Sequence, residues 1–349
     1  MDQSYRFHMA ILLLILLLVI QPNSAYGSCN CDDSQAKNQD KNGALVYKFV
    51  GIGSILIAGG IGIFMPLLLK NTRAFQPETP IHFLIKSFAA GIILATGFLH
   101  ILPDAFESLT SPCLGENPWG NFPFSGFIAM MAAIFTLIME SIATGYHTRA
   151  ELQKSQPLDD DMLEDNIASS TSSTGPAILL ERSNSSNLIR SRIISQVLEL
   201  GIVVHSVIIG ISLGTTQSLR VIKPLIAALS FHQFFEGMGL GGCIAQANFK
   251  TRAMTIMVLF FSLTTPTGIA IGIAISKSYN EYSPKALIVQ GFLNSASAGI
   301  LIYMALVDLL AADFMNPKLL SNLKLQLGTN LALLLGAFCM SSLAKWGGS

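Results

Sequence analysis

Glu199-Leu-Gly-Ile-Val-Val-His205-Ser206-Val-Ile-Ile-Gly210-Ile-Ser212-Leu-Gly214 lies within an apolar run, about 194–215, that is long enough to cross a membrane, yet it carries an imidazole near its centre. A short loop later, Ser230-Phe-His232-Gln233-Phe-Phe-Glu236-Gly237-Met-Gly239 repeats the pattern with a second imidazole and a carboxylate. Ionisable groups are costly in hydrocarbon and mark an ion path, a proton relay or a bound ion. His232 and Glu236 are one turn apart on one helical face. His205 from the neighbouring segment supplies a third donor. Imidazole with carboxylate suits a divalent transition metal. Ser206 and Gln233 are candidate weak oxygen ligands or supports for the ligands. The competing reading makes the two histidines interhelical hydrogen-bonding glue.

The rest of the chain agrees with a membrane setting. Of its 349 residues 51% are hydrophobic and only 12% charged, with a mean hydropathy of +0.54. Soluble domains carry about twice that charge. The net charge is zero, which points to no nucleic-acid partner. Apolar stretches predict eight transmembrane helices at about 45–69, 82–106, 122–147, 194–215, 222–246, 252–276, 286–311 and 325–345. Each is helical because lipid offers the backbone no partner. The fold class expected is an all-α polytopic membrane protein with its metal site between helices 4 and 5.

Residues 1–27 read as a cleaved signal peptide: Arg6 and His8, an apolar run of 12 residues from Met9 to Ile20, then Ala25-Tyr26-Gly27. Residues 28–44 form a short extracytoplasmic segment, 45–147 hold helices 1–3, 148–192 a disordered cytoplasmic loop, and 193–349 helices 4–8. That loop carries the acidic run Asp159–Asp165 and the Ser/Thr stretch Ser169–Thr174, a composition that cannot bury a core. Both termini then lie outside. The inner loops hold 12 Lys and Arg against 8 in the outer ones, a modest positive-inside bias. Two of Cys29, Cys31 and Cys113 are candidates for a disulfide; Cys243 and Cys339 lie in apolar segments as packing residues.

Further polar groups sit in the apolar spans. His100, Asp104 and Glu107 fall at i, i+4, i+7 on one stripe at the expected outer mouth, where acid attracts cations. Solvated charges at an exposed helix end are the alternative. Glu140 lies deep in span three, Asp308 near the inner end of span seven; both rank above Glu199, a partner for a nearby arginine, and Asp313, expected to be solvated. Gly210-x-Ser212-x-Gly214 matches a nucleophile elbow literally, but that motif needs a strand-turn-helix setting, so an intramembrane serine hydrolase is the remote alternative. A metal-sensing receptor without net transport is the other.

These motifs together resemble the ZIP (Zrt/Irt-like) metal transporter family over nearly all of residues 45–345: His205-Ser-Val-Ile-Ile-Gly-Ile-Ser-Leu-Gly, His232-Gln-Phe-Phe-Glu236-Gly, and the variable loop between spans three and four. Phe98-Leu-His100-Ile-Leu-Pro-Asp104-Ala-Phe-Glu107, Glu116-Asn-Pro-Trp119 and Tyr303-Met-Ala-Leu-Val-Asp308-Leu-Leu-Ala-Ala-Asp313-Phe are similar to its plant iron-regulated/zinc transporter branch. The resemblance implies import of Zn²⁺ and Fe²⁺, with Mn²⁺ or Cd²⁺ as further cargo, and no enzymatic activity or resident cofactor. It gives the transport site to His205, His232 and Glu236, and a selectivity role to His100, Asp104, Glu107 and Glu140. It also implies a plasma-membrane homodimer with Lys154, the only lysine of 148–192, as a ubiquitination site. Unlike many family members this chain has no histidine in 148–192, and Ile209 stands where some carry a second-site glutamate.

Overall fold

The computed structural model describes residues 41–69, 72, 79–154, 174–276 and 283–347, and within these the secondary structure is helical throughout. The expected signal peptide, Cys29 and Cys31 lie outside the described residues. The long helices are α1 (Lys41–Leu69), α3 (Phe124–Lys154), α4 (Thr174–Thr215), α5 (Leu219–Ala247), α6 (Thr251–Ile275) and α8 (Leu323–Gly347). Two more rods are each interrupted by a wider π-helical stretch. In α2, Pro80–Ala95 passes through Thr96–Ile101 into Leu102–Leu109. In α7, Pro284–Tyr303 passes through Met304–Ala311 into Ala312–Phe314.

Seven of these rods are long and apolar enough to cross a membrane, against the eight expected. The remaining one is α5. It has the length, at 29 residues, but His232, Gln233, Glu236 and a glycine-rich second half dilute its apolar character.

The segment 148–192 also differs from expectation. Residues 148–154 continue α3 and 174–192 open α4, while 155–173 lie outside the described residues. Ala177, Ile178, Leu179 and Leu180 are good or fair helix formers, and an established helix propagates cheaply into polar sequence.

Small residues decide which helices touch most closely. Gly62 of α1 lies against the Phe234 carbonyl of α5, Gly91 of α2 against Leu333 of α8, and Gly299 of α7 against Ala129 of α3. Gly210 and Gly214 of α4 meet Gly268 and Gly272 of α6, a small-xxx-small face on both partners. The packing therefore separates α1, α4, α5 and α6 from α2, α3, α7 and α8. Between the two groups the glycines meet side chains instead: Gly201 packs on Ile300 and Leu301, Gly239 on Ile93. A shared core of Ile63, Ile93, Ile202, Leu240, Phe261 and Leu301 joins them.

Exposure follows depth in the bundle. The apolar stretch of α4 is 83% buried, whereas those of α3 and α8 are only 18% and 17% buried. Phe135, Ile142, Leu331, Leu334 and Phe338 form bare apolar faces on those outer helices, as lipid contact requires.

Candidate metal site

His205 sits in the enclosed apolar stretch of α4, Ser191–Thr215, and is 1% exposed. His232 and Glu236, one turn apart on α5, are equally enclosed. The third imidazole is His100, and this corrects the sequence reading. Sequence spacing puts His100 at the outer mouth in line with Asp104 and Glu107. Instead its ring centroid lies 5.8 Å from that of His205 and 5.8 Å from that of His232, and those two are 6.0 Å apart.

His100 sits in the π-helical stretch Thr96–Ile101. Pro103 has no N–H to give, and the Leu102 N–H reaches back five residues to the Gly97 carbonyl. Asp104 and Glu107 follow on the regular helical stretch Leu102–Leu109. The predicted stripe becomes a gradient of depth: His100 at the triangle, Asp104 half-buried and Glu107 exposed.

The triangle is starved of hydrogen bonds. His100 Nε2, both nitrogens of His205, His232 Nδ1 and both carboxylate oxygens of Glu236 are buried without a hydrogen-bond partner. Polar atoms sealed in this way are rare, because each costs about 1–3 kcal/mol. Imidazole and carboxylate donors gathered in this way suit a divalent transition metal.

As the side chains stand, no group of three or more His, Cys, Asp or Glu among the described residues is assembled to hold a metal ion. The ring spacing nevertheless suits one. The centre of such a triangle is about 3.4 Å from each centroid, and an imidazole bound at a Zn–N distance of about 2.0–2.1 Å has its ring centre about 3.2 Å from the metal. Side-chain rotation alone can aim the nitrogens inward.

The remaining predicted residues divide. Ser206 is buried beside His205. Gln233 is buried too, but it is engaged elsewhere: Thr265 of α6 donates to its Oε1 at 3.2 Å, and its stem packs against Gly59 of α1. One residue along a helix turns the side chain by about 100°, enough to move Gln233 off the His232 face. Glu140 accepts a 2.7 Å hydrogen bond from Tyr303 Oη inside the α3–α7 contact.

Asp308 is buried within the second π-helical stretch. Asp313 is not simply solvated as expected; it accepts from Lys86 Nζ at 2.9 Å, tying the start of α2 to the end of α7. Glu199 is 3% exposed, and no ion pair with an arginine is present among the described residues. The nearby Arg192 instead donates to the Ala247 and Asn248 carbonyls at the end of α5, a favourable place for a cation. Lys48 of α1 is buried and donates to the Gly214 carbonyl near the end of α4 in the same manner.

Sequence reasoning missed both π-helical stretches, although Pro103 was a signal for the first. It also missed a cavity of about 280 Å³ lined by His82, Lys86, Cys243 and Gln246. His82 Nε2 lies 3.3 Å from Gln246 Nε2 there. On α2 this cavity and the Asp104–Glu107 acids lie on opposite sides of His100, so the imidazole triangle stands between an acidic end and a chamber.

Ser212 is half-buried inside α4, with no strand or sharp turn around it, and its flanking glycines are taken up by α6. It has none of the setting of a hydrolase nucleophile.

The ZIP Zinc transporter family model matches residues 45–344. The chain is 51% identical to Zinc transporter 3 of Arabidopsis thaliana, covering 96% of this chain and 95% of that protein. It is 49% identical to Zinc transporter 3 of Oryza sativa subsp. japonica over 95% of this chain and 96% of that one. Fe(2+) transport protein 2 of the same rice is 46% identical over 87% and 86%. Three imidazoles gathered from three membrane-length helices, and a match that runs through all of them, have one common reading: the chain belongs to the ZIP zinc transporter family.

Proposed function

We propose that this protein imports divalent transition-metal ions, Zn²⁺ and Fe²⁺, across the plasma membrane into the cytosol. The observation that carries the reading is the triangle of His100, His205 and His232, with Glu236 one turn below, all holding buried unpartnered donor atoms. Asp104 and Glu107 raise the local cation concentration on one side. The ion sheds water onto the imidazoles and leaves through the chamber lined by His82 and Gln246. The zinc and Fe(2+) transport names of the relatives favour both metals as cargo. Radiotracer uptake in zinc-deficient and iron-deficient yeast tests this directly. A chain that binds metal without accumulating it in the cell is a sensor instead.

The eight-crossing arrangement is part of the same proposal. Successive contacts of Val207, Gly210 and Gly214 with Gly268, Thr265, Ile269 and Gly272 make α4 and α6 parallel. The chain must return between them. α5 is joined to each by three residues and spans about 43 Å at 1.5 Å per residue, so α5 carries it back. Both termini are then extracytoplasmic. Asn184 opens the glycosylation sequon Asn184-Ser-Ser186, but on this topology it is on the inner side and stays without a glycan; a glycan there reverses the direction of transport assigned above. On this topology Lys154, the last residue of α3, faces the cytosol as the ubiquitin acceptor. Lys154→Arg slows metal-induced removal from the surface and leaves uptake per surface molecule unchanged.

Selectivity resides at the approach. Glu107 is exposed, and it meets the ion while the ion is still hydrated. Glu107→Ala changes the iron-to-zinc uptake ratio more than Glu236→Ala, which stops both metals. An equal loss of all metals on Glu107→Ala reduces Glu107 to simple electrostatic attraction.

A further inference from the structure

One buried polar group near the triangle has no assigned role. Asn294 of α7 is 3% exposed, and its Oδ1 has no hydrogen-bond donor. Two sets of contacts fix its height in the bundle. Along α4, Ser297 Oγ donates to the Gly201 carbonyl at 2.8 Å, while Leu293 packs with Val204, Val207, Ile208 and Ile211. α7 therefore runs antiparallel to α4, with Asn294 at the level of His205. Along α2, Gly97 lies against Ala298 and Ile302, and Gly291 against Leu109. Asn294 is thus also at the level of His100 to Asp104.

Its direction follows from helical spacing. Residues 293, 297, 300 and 301 face α4, while 291, 298 and 302 face α2. At 100° per residue Asn294 falls between these two stripes, toward the junction where the helices of His100 and His205 meet α7. We propose that the side-chain oxygen of Asn294 is a ligand for the transported cation at this α2–α4–α7 junction, and that it favours Fe²⁺ and Mn²⁺ over Zn²⁺. The inference deepens the transport reading and rests on it.

The chemical reason is ligand hardness and number. Zinc is satisfied by four ligands in a tetrahedron, which His100, His205, His232 and Glu236 can supply. Iron(II) and manganese(II) take more ligands, and carbonyl and carboxylate oxygens suit manganese well. A neutral oxygen beside three imidazoles supplies one more position without adding charge. It also explains an acceptor otherwise left unmet in a dry interior.

Asn294→Leu keeps the volume and removes the oxygen. We expect lower uptake of all three metals, with iron and manganese falling about tenfold more than zinc, the scale on which lost support of a metal site is felt. Asn294→Asp keeps the oxygen and adds charge, and raises manganese uptake relative to zinc. In the purified full-length protein, Co²⁺ gives a second readout: losing a ligand lowers its coordination number, so its visible absorption strengthens in Asn294→Leu. Unchanged metal ratios with an unchanged cobalt spectrum overturn the proposal and make Asn294 a packing residue. If Asn294→Leu fails to reach the membrane, Asn294→Asp decides by the same ratios and spectrum, and wild-type ratios there also overturn it. A wild-type chain that binds cobalt but takes up no metal overturns the transport reading instead, leaving the spectrum to judge Asn294.

Discussion

His205→Ala, His232→Ala and Glu236→Ala each reduce zinc and iron uptake to background while the protein still reaches the cell surface. The two halves of that result have one cause. These side chains are buried, with donor atoms that have no hydrogen-bond partner among the described residues. In the metal-free protein they cost stability rather than supply it, since each unmet polar atom is worth about 1–3 kcal/mol against the fold. Removing one therefore spares the bundle and removes the affinity for the ion. His100→Ala belongs to the same class on the structural placement of its ring, although the sequence alone assigns it to the mouth. Thermal unfolding of the purified protein separates binding from folding. Zinc at about 100 times its Kd stabilises the wild type by about 2.7 kcal/mol, and that increment disappears in the variants. Near-normal uptake by any one of them removes that residue from the site.

Gly62→Leu abolishes accumulation of the folded protein, whereas Gly60→Ala two residues earlier is neutral. A side chain at Gly62 would overlap the Phe234 carbonyl of α5, and backbone cannot step aside as a side chain can. The α1–α5 contact would have to open along its length, at a cost at or above about 3 kcal/mol. Gly60 has open space where a methyl group would go. Phe234 also lies between His232 and Glu236 in the chain, so the same displacement disturbs the ligand helix. Detergent-solubilised yield and gel filtration read the outcome. A well-folded Gly62→Leu protein with normal uptake refutes the close α1–α5 approach.

The histidines of α4 and α5 are legible in the sequence because hydrocarbon makes polar residues conspicuous: His205, His232 and Glu236 interrupt apolar runs, and the i, i+4 spacing of the last two is a property of one helix. His100 is legible as functional but not in its place. Its ring meets those of His205 and His232 through the packing of α2 against α4 and α5, of which hydropathy carries no trace. Gln233 sits beside His232 in sequence, yet Thr265 holds it on another face of α5. Asp313 reads as a loop charge along the chain, but its partner Lys86 is 227 residues away. Asn294 shows nothing in sequence, being a single amide in a stretch of small residues.

What the sequence by itself determined is therefore what one segment's own chemistry decides. It set the all-helical membrane character, the position of most spans, the family motifs and which helices carry donors. Only the tertiary structure decided that three imidazoles gather from α2, α4 and α5, that α4 and α6 run parallel in direct contact, and that acids and chamber flank the imidazoles. These are relations between helices, settled by where glycine lets two backbones close and by the rotation each helix then keeps.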